Sequence, residues 1–149
     1  MTALAVALAL CFTPPVDWQE VDAKYLAPSV KSGYLCKGKK GFCPSLNLAV
    51  EKIVSDQEHY LKSVKKIHEM NPQNRWRNLG PFKTREGDGV LTEIDTKNKL
   101  GDVRLLQMIL VKDGYAYVLT ASALKDEFAD HYKEFQESFK SFQIKKEDL

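Results

Sequence analysis

The stretch "GYAYVLTASALKDEFADHYKEFQESFKSF", residues Gly114–Phe142, decides the fold because two hydrophobic periods meet in it. Its first part is rich in β-forming residues, and the dipeptide Asp113-Gly114 just before it favours a two-residue hairpin. Aromatic residues then recur at intervals of four, three, four and three, which places them on one stripe of a helix. They are Phe128, Tyr132, Phe135, Phe139 and Phe142. The pattern predicts a strand, then a helix capped by Ser122 that packs its stripe across the preceding strands.

The segments just upstream have the pattern of a β-meander. "RWRNLGPFKTRE" and "GVLTEIDTK" are separated by Gly87-Asp88-Gly89, which we predict to form a tight turn. "DVRLLQMILVK" follows and leads into the Asp113-Gly114 hairpin. Because 105–111 are largely apolar on both alternating sets, this segment is predicted to be a central strand covered on both faces.

The first half of the chain contributes two more strands and a helix. "SGYLCKG" and "SLNLAVEKI" read as strands, and a helix capped by Ser55 is predicted to follow and to end before Asn71-Pro72. The predicted order is therefore β-β-α-β-β-β-β-α. This order is typical of an α+β domain, with an antiparallel sheet of about six strands packed with two main helices.

Composition and charge are those of an ordinary globular domain. The chain has 149 residues, of which 44% are hydrophobic and 28% charged, and its formal net charge is +2. So small a charge does not indicate a nucleic-acid partner, which normally needs a concentrated basic surface. No apolar run approaches the roughly eighteen residues that a membrane-spanning helix requires.

The amino terminus allows two interpretations. Residues 1–12, "MTALAVALALCF", read as an apolar leader or truncated signal segment, or else as a buried first strand or helix. The tetrapeptide Leu8-Ala9-Leu10-Cys11 resembles a bacterial lipoprotein box, although Leu10 stands where that box has a small residue. Lipidation at Cys11 is one consequence of the first interpretation. We expect 13–143 to form a single domain and 144–149 to be a charged tail.

The other two cysteines flank a Gly- and Lys-rich turn. Cys36 and Cys43 could face each other across a hairpin and form a disulfide, which would require an oxidising compartment. The alternative is three unrelated small core residues. The six-residue spacing is not that of a zinc site.

No pattern of catalytic, cofactor-binding or metal-ligating residues stands out. His59 and His68 are nine positions apart, about 180° around a helix, and so cannot chelate one metal from it. Glu127 and His131 have the spacing of a minor helix-surface pair. No nucleophile-elbow or phosphate-loop motif is present. The sequence therefore predicts a protein that is not an enzyme and has no cofactor.

Two basic clusters are candidates for surface binding. Lys37, Lys39 and Lys40 lie in the predicted hairpin turn, and Arg75-Trp76-Arg77 opens a strand. Basic and aromatic side chains together can bind a nucleic-acid strand or anionic headgroups. The alternative interpretation is a solvated lysine turn and a tryptophan packed under arginine stems.

Four phrases of the sequence form a set, namely "TPPVDW" at 13–18, "FCPSLNLAVEKI" at 42–53, "YLKSVKKI" at 60–67 and "YVLTASALKDEFADHYKEFQESFKSF" at 117–142. Together they resemble the superfamily that unites PsbP, Mog-type and DcrB-like proteins, in particular its bacterial DcrB-like or PsbP-like branch. The resemblance implies that superfamily's α+β fold. It also implies a binding role, because its members include a Ran-binding regulator, thylakoid-lumen photosystem subunits, envelope lipoproteins and secretion chaperones.

These observations lead to three hypotheses. The first is a non-enzymatic exported or envelope-associated module of the periplasm or cell envelope, which binds a protein partner and meets the membrane only through an amino-terminal lipid. The second is a cytosolic adaptor, chaperone-like or similar to a small-GTPase regulator, in which 1–12 form an ordered apolar element, for example at a dimer interface. The third, a small hydrolase or ligand carrier, would require a deep pocket with convergent polar groups.

Overall fold

The computed structural model describes residues 6–36 and 41–148. Within them the strands are β1 (Val6–Cys11), β2 (Gln19–Glu20), β3 (Val30–Leu35), β4 (Ser45–Lys52), β5 (Arg75–Thr84), β6 (Gly87–Asn98), β7 (Gly101–Lys112), β8 (Tyr115–Leu124) and β9 (Gln143–Asp148). The helices are α1 (Gln57–Glu69), α2 (Phe128–Lys140) and a short 3-10 helix, Ala23–Tyr25.

An antiparallel sheet of seven strands forms the centre of the described part of the chain. Its strand order is β2-β3-β4-β8-β7-β6-β5, so the meander from β5 to β8 supplies one half and ends beside β4. The predicted α+β class, with an antiparallel sheet and two main helices, is confirmed. The sheet has seven strands rather than about six, because the two-residue strand β2 is too short to leave a hydrophobic period in the sequence.

The hairpin turns of the meander are only partly where we expected them. Asp113 and Gly114 have φ of 51° and 82°, the left-handed pair that a type I′ turn requires, which confirms that hairpin. The turn predicted at Gly87-Asp88-Gly89 lies at 85–86 instead. Gly89 is an interior strand residue, where a Cβ would come within 2.7 Å of Met108 Sδ. A glycine at position 89 therefore allows Met108 to pack closely against the strand and does not form a turn.

The aromatic stripe of α2 forms the main core on one face of the sheet. Phe128, Phe135 and Phe139 are buried on α2, and Phe142, just beyond it, is also fully buried. They pack against residues of five strands, namely Leu46, Leu48, Phe82, Leu91, Leu106, Met108, Leu110, Tyr117 and Leu119. The predicted packing of this stripe across the strands is confirmed.

The predicted cap of α2 was wrong. Ser122 lies within β8, is buried, and its hydroxyl is 2.5 Å from that of Ser45. Because β8 pairs with both β4 and β7 along its length, the strand continues to Leu124 and the helix begins only at Phe128.

Helix α1 lies on the opposite face of the sheet and is packed more loosely. Its N-cap is Asp56, not the predicted Ser55, because the Asp56 carboxylate accepts a hydrogen bond from His59 N at 2.9 Å. The helix ends at Glu69, before Asn71-Pro72 as predicted. None of its residues is buried, and Ile67 is 65% exposed.

The two ends of the described chain pair with each other. β1 and β9 form a separate two-stranded antiparallel sheet in which Leu10 lies opposite Ile144, and both side chains pack against the core. The backbone N–H of Ile144 also donates to the carboxylate of Glu86 at 2.9 Å. The strand pair thus includes residues that we expected to form either a leader or a buried first strand or helix, and residues of the expected charged tail. No helix among the described residues is long and apolar enough to span a membrane.

Candidate protein-binding site

Strand alternation separates the three residues of the Arg75-Trp76-Arg77 cluster. Trp76 points to the α1 side of the sheet, where Lys65 Nζ lies 5.6 Å from the ring centroid. Arg75 and Arg77 lie opposite Asp95 and Glu93 of β6, on the side that α2 covers further along the sheet. The two arginines therefore share a surface from which the tryptophan is excluded.

A carboxylate buried in the sheet face holds Arg77. The Glu93 side chain is only 8% exposed and forms an ion pair with Arg77 and a second with Arg104 Nε at 3.1 Å. Removing the charge of either arginine would leave Glu93 less well compensated, and a buried carboxylate without partners is costly.

A second carboxylate fixes the neighbouring cations. Asp95 accepts two hydrogen bonds from Arg104, at 2.7 and 3.0 Å, and lies 3.5 Å from Lys125 Nζ. The hydrogen bonds from Arg104 hold the pKa of the Asp95 carboxyl below its usual range, against the effect of partial burial, and Lys125 adds to the lowering. Asp95 is consequently ionised at neutral pH, and Arg104 is held in a single bidentate geometry.

These side chains border a cleft of about 340 Å³, which we call the charged cleft. Its walls carry the cations Arg75, Arg77, Lys97, Arg104 and Lys125 and the carboxylates Asp95 and Asp102. At its inner end the Arg104 guanidinium lies 5.7 Å from the centre of the Phe128 ring. The cleft therefore begins where the aromatic cover provided by α2 ends.

The charged cleft adjoins the longer edge of the sheet. β5 is the last strand in the sheet order, and its outer edge has no neighbouring strand among the described residues. Its register shifts between Asn78 and Gly80, and Pro81 follows, features that interrupt strand pairing. The shift divides β5 into a segment at 75–78, which carries the cleft arginines, and a second segment at 80–84, which contains Pro81.

The remaining sequence candidates include the three lysines of the predicted hairpin turn. Lys37, Lys39 and Lys40 fall outside the described residues. Their predicted role in binding stays a prediction. Cys11 is exposed at the end of β1, and its lipidation likewise stays a prediction.

The structure brings the two remaining cysteines near each other. The backbone N–H of Cys36 donates to Pro44 O at 2.9 Å, so the segment next to Cys43 runs beside Cys36. Burial raises the pKa of the Cys36 thiol, and Glu134, Cys43 and Glu127 raise it further. A Cys36–Cys43 disulfide remains a prediction that this proximity permits.

The histidine examined for catalysis has a packing role. The His131 ring stacks on Phe135 at 5.8 Å between centroids and meets the edge of Trp18 at 6.3 Å. Among 6–36 and 41–148, no group of three His, Cys, Asp or Glu side chains is placed to hold a metal ion.

Only two residues of the cleft, Arg75 and Arg77, were candidates from the sequence. Glu93, Asp95, Arg104 and Lys125 were not, although charged residues between the apolar residues of β6 and β7 were a visible signal for the first three. The strand register places Glu93 and Asp95 opposite the arginines of β5, and Arg104 opposite Asp95.

No family model and no curated protein matches the chain in sequence. Solved structures do match it. LpqN, described as involved in cell envelope biogenesis of Mycobacterium tuberculosis, is similar with a TM-score of 0.69 at 15% identity, covering 93% of this chain and 84% of LpqN.

Two further matches bear on the predicted fold. The Saccharomyces cerevisiae Ran-binding protein Mog1p has a TM-score of 0.62 at 14% identity, covering 95% of this chain and 96% of its own. The cyanobacterial PsbP of Synechocystis sp. PCC 6803 has a TM-score of 0.58 at 13% identity, covering 97% and 95%. The resemblance inferred from the sequence is thus confirmed at the level of fold: the chain has the PsbP/Mog-like fold.

Proposed function

We propose that this protein is a non-enzymatic binding module that holds a segment of a partner protein against the edge of β5. The observation that carries the proposal is the juxtaposition at 75–78 of a regular, unpaired strand edge with the charged cleft. An edge strand offers main-chain hydrogen bonds to an added strand, and pockets beside it select side chains. The bulge and Pro81 limit such pairing to a short segment.

The charges of the cleft suit binding better than acid–base catalysis. A general acid or base works best with a pKa near the operating pH, whereas Arg104 shifts the pKa of Asp95 downward, away from neutrality. One protein of the same fold, Mog1p, is described as Ran-binding, which is in keeping with a protein partner.

We assign this module first to the cell envelope or another exported location. The apolar 1–12 segment and the proximity of Cys36 to Cys43 support this assignment, since a disulfide needs an oxidising compartment. The similar protein LpqN is described as involved in cell envelope biogenesis.

The pairing of β1 with β9 favours a second candidate, a cytosolic adaptor. Cleavage before Cys11 would remove most of β1 and with it the pairing to β9. A protein that uses this strand pair is therefore one that is not cleaved at Cys11. The intact mass of the native protein, with and without reduction, separates the candidates. A lipidated chain beginning at Cys11 that gains two hydrogens on reduction supports the envelope, and an unprocessed chain with three thiols supports the cytosol.

Site-specific photocrosslinking in the native host tests the proposed binding edge. A benzoylphenylalanine in place of Leu79, which is 41% exposed beside 75–78, should crosslink to one predominant partner protein. The matched control replaces Tyr25, an exposed aromatic residue that follows β2 at the other end of the sheet. Equal crosslinking from both positions, or none from position 79, would contradict the proposal.

A further inference from the structure

We infer that the segment bound at β5 is acidic and carries two carboxylate side chains at i and i+2, which enter the charged cleft. This inference rests on the proposed function, because it specifies the partner of the same edge.

The first reason is an excess of positive charge where the edge is open. The five cations of the charged cleft face the carboxylates Asp95, Asp102 and the underlying Glu93, which leaves two positive charges uncompensated. The whole protein has the same formal charge of +2. An excess equal to that of the entire chain is therefore concentrated in one cleft.

The second reason is that specific cations are available to a ligand. Among the described residues, Arg75 and Lys97 have no ion pair, while Arg77 is 59% exposed despite its contact with Glu93. A guanidinium has five N–H donors, so one carboxylate does not exhaust the capacity of Arg77. Arg75 and Arg77 are thus the cations that an incoming anion can neutralise along the strand.

The third reason is preorganisation. Glu93 and Asp95 hold Arg77, Arg104 and Lys125 in place before any ligand arrives. Binding consequently costs little additional ordering of these long side chains, a cost that otherwise lowers affinity.

Strand geometry then sets the spacing of the ligand's charges. Arg75 and Arg77 are two residues apart on one strand and so lie about 6.6 Å apart along it. An added strand presents its own residues i and i+2 at the same interval and on the same face. Opposite charges directly across a strand pair attract, so glutamate or aspartate at these two positions matches both arginines. Adjacent acidic residues would point to opposite faces, and only one would reach the cleft.

The carboxylates of the cleft distinguish this ligand from a polyanion. Asp102 has no ion pair among the described residues and lies in the wall beside the cations. A continuous phosphate backbone would bring negative charge against it. Two discrete carboxylates aligned with β5 need not approach it.

The test is a titration of the full-length protein with short capped peptides, followed by amide NMR shifts. One peptide carries glutamates at i and i+2 in a threonine-rich strand sequence, the second carries the same glutamates side by side, and the third replaces both with glutamine. We expect the first to bind most tightly and to shift the amides of 75–78. Arg75→Gln and Arg77→Gln should each weaken it by about two- to fivefold, the range of a cross-strand charge pair.

Arg85→Gln is the matched control, because Arg85 is an exposed arginine of the same hairpin outside the cleft. It should leave the affinity unchanged. Arg75→Gln is the decisive variant, since Arg75 holds no buried carboxylate. Equal affinity for all three peptides, displacement by inorganic phosphate beyond its effect on ionic strength, or no shift at 75–78 would overturn the inference. If the glutamine peptide shifts the amides of 75–78 as much as the i, i+2 glutamate peptide does, the acidic ligand is ruled out but strand addition at β5 is not. The crosslink from position 79 tests strand addition without depending on these peptides.

Discussion

At the scale of single residues, the α1 side of the sheet holds a polar row whose hydrogen bonds are incomplete. Thr92 and Thr120 flank Gln107 on neighbouring strands. The Gln107 amide donates to the Thr120 hydroxyl at 3.1 Å. The fully buried Thr92 hydroxyl has no hydrogen-bond partner among the described residues.

We predict that Thr92→Val raises the free energy of unfolding by about 1 kcal/mol, because it removes a buried polar group that forms no bond and keeps the side-chain shape. Thr120→Val is the matched control and should lower it by a similar amount, because it removes a bond that is made. Urea unfolding midpoints measure both. A loss of stability in Thr92→Val would show that the hydroxyl is bonded, for example to an ordered water.

The Asp95 carboxylate predicts an acid-dependent loss of stability. Arg104 lowers the pKa of Asp95 in the folded state. The stabilisation that ionised Asp95 provides is therefore complete above the unfolded pKa of about 3.9, and it is lost as the pH falls through the lower pKa of the folded state. The free energy of unfolding should fall from about pH 5 to pH 2, and less steeply in Asp95→Asn. Asp102→Asn is the control, because it shows how far the loss of any carboxylate from the cleft changes the pH dependence of the free energy of unfolding. An identical slope for Asp95→Asn and the wild type would contradict the prediction.

At the scale of elements, β1 and β9 close the domain between the two chain ends. Their pairs run from Val6 opposite Asp148 to Cys11 opposite Gln143. Deleting 1–11 removes these pairs and the packing of Leu10, and should lower the free energy of unfolding by about 1–3 kcal/mol. A deletion of 1–5 keeps every pair and is the control. Equal stability of both deletions would mean that β1 contributes nothing to the fold.

Strands and helices that have their own hydrophobic periodicity could be predicted from the sequence. Strands that form only by pairing with a distant segment could not. The strands of the meander and both helices have their own hydrophobic patterns, so the sequence predicted their existence. The apolar run at 1–12 allowed a first strand only as one alternative, and β9 has no such signal. Their pairing joins segments more than a hundred residues apart, which no local pattern specifies. The start of α2 was misplaced for a related reason: Ser122 looks like a cap locally, but pairing on both sides keeps it in β8.

The same distinction applies to the candidate site. Arg75 and Arg77 stood out because they are adjacent to a tryptophan in the sequence, but only the strand alternation assigns Trp76 to the other face. The position of Arg104 beside Asp95 and Glu93 depends on the register of β7 against β6. No local pattern specifies that register.

At the scale of the whole molecule, the two faces of the sheet differ in what they leave open. α2 covers one face with aromatic side chains as far as Phe128, and on that face the charged cleft lies between Phe128 and the β5 edge. The other face is covered by α1. We therefore expect the partner at one corner of the molecule, where the charged cleft meets an open strand edge.

Amide hydrogen exchange on the complex with the crosslinked partner tests this central claim most directly. We predict slower exchange at 75–78 in the complex than in the free protein, because an added strand accepts hydrogen bonds from the outward-facing amides of that edge. Slower exchange confined to α1 or to the β2 edge, with 75–78 unchanged, would contradict it.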